Sequence, residues 1–425
     1  MTGSTTDRPR EAAIIAVAQR RILRVLAAAQ VLGGAAFFIG IAVVPLLARE
    51  VTGSAALAGV PTAAAVAASA LAAVPLSRLM ARAGRRPGLA LGHAIAVVGA
   101  GLVVLAAVSR SLPVLILGTA LFGVANTSNL LARFAATDLS VEAQRGRAMG
   151  VVLLATALGA VAAPNLVPAT GTLAGAVELP ALAGPFLFAA LASGLAALLL
   201  FALLRPDPLE VAGRHAVAAP SGTGSSSSAR PPILHALRDR RVAIGATAMI
   251  AANLVMTVLM TMAPLHLVDH GHSLGVVGVV ISVHVAGMFL PSPLSGWLCD
   301  RWGRIPVIAA GGVALLCAAA VGAIADPNAS APIGVSLVLL GLGWNLGIVG
   351  GGTLLTDALP VGERPRVQGA ADLAMGMAGA LGGLASGAVL AAGGFLLLCV
   401  LAAGVIAPLL LVLMRTRTPT LTAPS

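Results

Sequence analysis

Lysine and tyrosine are absent from this chain of 425 residues, and charge of either sign is scarce. Only 10% of the residues are charged while 58% are hydrophobic, and the mean hydropathy is +1.00. Water-soluble domains carry about 25% charged residues, so a soluble fold is excluded. Aromatics make up 3%. The arginines are spread over separate loops with no aromatic platform among them, which excludes nucleic acid as a partner. Without tyrosine, and with little tryptophan, the usual interfacial belt is thin. Cys299, Cys317 and Cys399 are odd in number and match no zinc spacing, so neither disulfide nor metal is expected. No GxxxxGK[ST] run is present, so no nucleotide is expected. The apolar runs hold no nucleophile–base or paired-carboxylate cluster, so neither an enzyme nor a cofactor is expected. The first apolar run is of span length and lacks a small-x-small exit, so no cleavable signal is expected. All basic residues being Arg, with heavy use of Ala and Gly, points to a GC-rich bacterial source.

What the chain has in abundance is apolar runs of about 20 residues, each long enough to cross a hydrocarbon core of ~30 Å as a helix. Twelve fall at roughly 25–48, 55–76, 88–108, 113–135, 148–168, 183–204, 242–266, 274–295, 305–325, 333–355, 367–390 and 394–414. The chain also reads twice, with a shift of 219 residues. GWLCDRWGR at 296–304 has a worn copy in SRLMARAGR at 77–85. At the same shift Pro45 falls on Pro264, Ser54 on Ser273, Asn126 on Asn345, Asp138 on Asp357, Arg145 on Arg364 and Arg147 on Arg366. The expected fold is therefore an all-α membrane protein, with twelve transmembrane helices in two six-helix bundles related by a parallel repeat. Two same-sense halves suggest a transporter whose bundles rock about a central site.

The expected organisation is a cytoplasmic tail at 1–24, a bundle at 25–204, a cytoplasmic linker at 205–240, a second bundle at 241–414 and a tail at 415–425. SGTGSSSSARPP within the linker reads as flexible. Charge sets the orientation. Arg8, Arg10, Arg20, Arg21 and Arg24, the 2–3 loop and the middle loop would face the cytoplasm, leaving only Arg49 and Arg110 outside. That is a steep positive-inside bias with both termini inside the cell membrane. It also accounts for the net charge of +11.

Gly296, Asp300, Arg301, Gly303 and Arg304 sit where the eighth run leaves the membrane. This segment resembles the loop signature of the major facilitator superfamily, and the resemblance extends over essentially the whole chain. It implies a knot that locks the cytoplasmic ends of the bundles and breaks as they rock. Gly303 permits the turn, and Asp300 can pair with nearby arginines. The first-half copy has Ser77 for the Gly and Ala81 for the Asp, so it is either a weaker or differently built lock, or a plain basic loop that sets topology. In the fifth run, Gly150, Gly159 and Ala163-Pro164 are similar to the pattern of proton-coupled antiporters of that superfamily. Small residues there let helices approach, and Pro164 bends the helix. The resemblance leans the direction toward export. Against it, Thr119 stands where drug antiporters carry an Arg, and 25–48 has no acidic residue.

Positions where the halves differ are better candidates for function. Arg133 has Gly352 as its repeat partner, and Asp372 has Leu153. A charge inside a span is costly unless it is paired or wet. The two either bridge the bundles as a gate, or snorkel to the interface. His284 is mid-span and either handles protons or is hydrogen-bonded in place. His266, His270 and His272 cluster at the outer end of the seventh run, as a metal or pH site or as a solvated loop. The superfamily resemblance implies that spans one, four, seven and ten line the cavity. Gln30, Asn126, Asn129, Asn253, Trp344 and Asn345 would then make it polar and nearly uncharged; inter-helix bonding is the alternative for Asn126 and Asn345. Asp138, Arg145, Arg147, Asp357, Arg364 and Arg366 are expected to form charge pairs at the inner ends. The expected function is secondary transport of a small organic molecule by a monomer in the lipid bilayer, coupled to protons and exporting. Uptake of a neutral nutrient or vitamin-like solute by the same fold and a non-transporting receptor or scaffold are the alternatives.

Overall fold

The computed structural model describes residues 7–415 except 54–56, 58, 219–232 and 327. Ser54 of the repeat and the serine-rich part of the linker lie outside the described residues. The described structure is all-α, with short 3-10 turns and no strand. Eleven of its helices are long and apolar enough to cross a membrane. The twelfth span is present but merged. The last helix, α15 (Arg364–Met414), is broken at Gly393 and Gly394, so that it contains two spans. Glycine permits this break, since Gly394 has φ 67°.

The first repeat comprises α1 (Asp7–Thr52), α2 (Val60–Ala83), α3 (Arg85–Ser109), α4 (Leu112–Ala135), α5 (Arg145–Ala162), α6 (Val167–Gly175) and α7 (Gly184–Leu203). Two short helices, α8 (Pro208–Ala218) and α9 (Ile233–Ala236), follow. The second repeat comprises α10 (Arg240–Asp269), α11 (Leu274–Phe289), α12 (Ser292–Trp302), α13 (Arg304–Ile324), α14 (Ser330–Ala358) and α15. Hydropathy placed the spans well and their ends less well. The first helix starts at Asp7, inside the stretch expected to be a tail, and the linker expected over 205–240 is helical at both described ends. The eighth span is two helices because Pro291 and Pro293 interrupt the backbone bonding near its middle.

The structure divides into two compact units. One comprises Met1–Ala236 with Leu359–Gly376, and the other Leu237–Ala358 with Met377–Ser425. The beginning of α15 thus clusters with the first repeat, whereas the sequence reading gave it to the second bundle. In the first unit, α4 packs on α2 and α3, and α1 on α5 and α7. In the second, α14 packs on α10, α11 and α13. Close approach is built on small residues: a Cβ on Gly159 would lie 2.1 Å from the Val31 carbonyl oxygen of α1. Long apolar side chains such as Leu71, Leu191 and Leu384 remain exposed, as a face solvated by lipid requires.

The repeat seen in sequence is also a repeat in geometry. Gly84 and Gly303 each join two helices at φ 88° and 91°, a backbone region that favours glycine. Each is followed by an arginine whose Nε donates to an aspartate 53 residues on, Arg85 to Asp138 and Arg304 to Asp357, both at 2.8 Å. Arg145 Nε donates to the Ser140 carbonyl at 3.3 Å, and its counterpart Arg364 to that of Leu359 at 3.2 Å.

Candidate functional site

The signature loop forms a compact knot in the second unit. Arg304 bonds Asp357, approaches Asp300 at 3.5 Å and donates to the Cys299 carbonyl at 2.7 Å. Gly296 is buried and Arg301 is exposed. The first-half copy is more than a basic loop. Arg85 is fully buried, binds Asp138 through Nε and Nη2, and donates to Gln368 Oε1 at 2.7 Å. Arg364 adds a second cation 3.9 Å from Asp138. Asp207, which precedes α8, accepts from Arg86 N at 2.8 Å and from Leu209 N at 3.0 Å, over the turn at Gly84. Of the other expected charge partners, Arg147 is exposed and Arg366 half-buried.

Arg133 and Asp372 meet. Arg133 Nη2 donates to Asp372 Oδ1, and both side chains are buried. Arg133 also bonds the Leu130 carbonyl at 2.9 Å, and its guanidinium lies 4.5 Å from the Phe134 ring centroid. α4 and the first turns of α15 bring the pair together inside the first unit. Snorkelling to an interface does not describe these two residues.

The neutral polar candidates fall into separate groups. Gln30 is buried and donates to the Asn129 carbonyl at 2.7 Å, which ties α1 to α4. Asn129 is buried, and neither amide atom finds a protein partner. Asn126 is half-buried and donates to Ser69 at 3.2 Å. In the second unit, Trp344 Nε1 donates to Asn253 Oδ1 at 3.1 Å, and its ring meets Phe289 edge-on at 5.6 Å. Asn345 is fully buried; it donates to the Met288 carbonyl and Ser292 and accepts from Ser295. In this structure it is a helix-to-helix tie, as the sequence allowed. His284 is likewise buried, with Nδ1 2.6 Å from the Leu337 carbonyl oxygen. His266 stacks on Phe395 and lies 4.4 Å from His270, and no group able to hold a metal is found among the described residues.

The fifth span changes from α-helix to 3-10 geometry at Ala163–Leu166, around Pro164. Gly150 is buried, and Gly159 sits against α1. Gly150 and Gly159 pack and the span bends at Pro164; beside them Thr156 Oγ1 donates to the Val152 carbonyl at 3.0 Å and Asn165 Nδ2 to that of Val161 at 3.2 Å.

The sequence profile described as Major Facilitator Superfamily matches residues 26–349 and 245–425. The chain belongs to the major facilitator superfamily. Among curated superfamily relatives, it is 40% identical to the uncharacterised MFS-type transporter YddS of Bacillus subtilis, over 87% of this chain and 85% of the relative. It is 32% identical to the riboflavin transporter RfnT of Brucella anthropi, over 85% of this chain and 86% of the relative. The crystal structure of the human organic anion transporter MFSD10 superposes with a TM-score of 0.73 over 93% of this chain and 99% of that one, at 16% identity, which speaks to fold alone. The protein is accordingly a multi-pass membrane transporter of the secondary type and not an enzyme.

Asp207 and Gln368 are not picked out from sequence, and His93 of α3, near a span end, is given no role there. A signal existed for two of them. Gln368 has Met149 as its repeat partner and His93 has Gly312, the same asymmetry that selected Arg133 and Asp372. Asp207 lies past the end of the first repeat, where comparison of the halves gives nothing.

Proposed function

We propose that this transporter moves a small, neutral organic solute by alternating access, that protons drive it, and that it works as a monomer in the cell membrane with both termini in the cytoplasm. The observation that carries the reading is the buried Arg133–Asp372 bridge. Asp372 is the one acidic residue inside the twelve apolar runs, in the inner third of the eleventh. Protonating it would cancel one charge of the bridge and release Arg133, which couples proton uptake to movement of α15 against α4. The half-buried neutral amides of Asn126 in the first unit and of Asn253 in the second each suit a solute without charge, because an ionic solute would leave its charge unmatched. The fifth-span pattern of Gly150, Gly159 and Pro164 supports export.

A second reading keeps the site and reverses the direction. The likeness to a riboflavin transporter favours a vitamin-like heterocycle as the solute, and uptake would serve such a solute.

The test of the bridge is a charge exchange. Arg133→Asp and Asp372→Arg should each abolish transport in vesicles, and the double variant should regain a substantial part of it. A double variant that is inserted and folded but as inactive as the singles would count against the bridge as the moving contact.

A further inference from the structure

The first unit contains a run of buried hydrogen-bonding atoms that no protein group satisfies. They are His93 Nδ1, Ser128 Oγ, both amide atoms of Asn129, Arg133 Nε and Asp372 Oδ2. These five residues are neighbours in space. His93 of α3 and Asn129 of α4 both lean over Gly33 of α1: a Cβ there would lie 2.6 Å from His93 Cε1 and 2.5 Å from Asn129 Oδ1. Ser128 precedes Asn129 in the chain and lies against Gly92, beside His93. Arg133 is four residues after Asn129 on the same face of α4, about 6 Å along the axis, and it holds Asp372.

The fold does not demand this polarity. At the matching positions of the second repeat stand Ala252 for Gly33, Gly312 for His93, Gly347 for Ser128, Ile348 for Asn129 and Gly352 for Arg133. There α10 and α14 simply close on each other: a Cβ on Gly347 would lie 2.8 Å from that of Ala252. One scaffold carries an apolar contact in one half and a cluster of unsatisfied donors and acceptors in the other. Buried polar groups of this kind are held by ordered water, which makes about three hydrogen bonds per molecule.

We propose that His93, Ser128 and Asn129 form an internal water-binding site at the junction of α1, α3 and α4, continuous with the free edges of the Arg133–Asp372 bridge. Its role follows from the reading of that bridge as a moving contact, on which this part rests. When Asp372 leaves, Arg133 must not be stranded in a dry interior. Water held one turn away on α4 supplies its replacement partners, so the bridge opens without a bare buried charge.

The experiment measures thermal unfolding of the purified full chain in detergent for Asn129→Leu, His93→Leu and the double variant. A water site predicts that each single variant melts at a lower temperature, because the water and the remaining side chain lose a partner. It predicts that the double variant loses less than the sum of the two. Single variants that melt as high as the parent or higher, with additive effects, would overturn the site, since removing truly unpartnered groups is favourable. Should the Leu variants fail to fold, a density map fine enough to show ordered water decides it. Density within hydrogen-bonding distance of His93 Nδ1 and the Asn129 amide supports the proposal, and a closed, dry junction overturns it. Neither readout depends on transport, so the site stands or falls separately from the proposed function.

Discussion

A buried charge stripped of its partner costs more than the pair contributes, and water held nearby offsets only part of that cost. Asp372→Asn should therefore lower the stability of the purified protein by about 3 kcal/mol, read by thermal or denaturant unfolding. Asp372→Asn with Arg133→Gln should lose less than Asp372→Asn alone. A single variant as stable as the parent would mean that Arg133 finds another partner. Arg133 and Asp372 could be read from sequence because each is charged inside an apolar run and faces an uncharged residue in the other repeat. What the sequence could not give is the choice between a bridge and snorkelling. The two lie 239 residues apart, and no periodicity relates α4 to the first turns of α15. Asn345 shows the converse. Its type and place suggested a cavity, but three neighbours from α11 and α12 saturate its amide, and such saturation is a property of packing.

Helices in this protein are held at distances that only small residues allow. Gly159→Ala places a methyl group 2.1 Å from a carbonyl oxygen of α1, so α1 and α5 must separate. The cost should be about 1–3 kcal/mol in unfolding. Gly101→Ala is the matched control. Nothing lies within 4 Å of a Cβ there, and alanine is the better helix former by up to about 1 kcal/mol. That variant should melt no lower than the parent. The elements themselves were largely legible: eleven of the twelve apolar runs correspond to separate crossings, and the twelfth is separated only by the break at Gly393 and Gly394. Helix ends were less so. Hydropathy reports which residues prefer lipid, while Asp7–Arg24 and Pro208–Ala218 are polar or mixed and form helix for other reasons. The first-half copy keeps its Arg85–Asp138 pair without a carboxylate at Ala81, and Asp207, beyond the repeat, accepts from backbone N–H groups over its turn.

Across the whole molecule, the repeat was the strongest signal in the sequence, and it survives in atomic detail at Arg85–Asp138 and Arg304–Asp357. Duplicated scaffold and unequal polar residues together describe a machine with one framework and one specialised half. The arginine distribution predicts that the linker faces the cytoplasm. With the native cysteines replaced, Ser225→Cys in intact cells should resist a membrane-impermeant thiol reagent and react once the membrane is opened. Labelling of intact cells would reverse the topology. The central claim is proton-driven movement of a neutral solute, and its most direct test is proton flux in liposomes that contain only the purified protein. Under an imposed pH gradient, one neutral member of a panel that includes riboflavin and cationic amphiphiles should release protons from the acidic side in a saturable way, and Asp372→Asn should abolish that release. Solute flux that saturates with no accompanying proton movement would contradict the account.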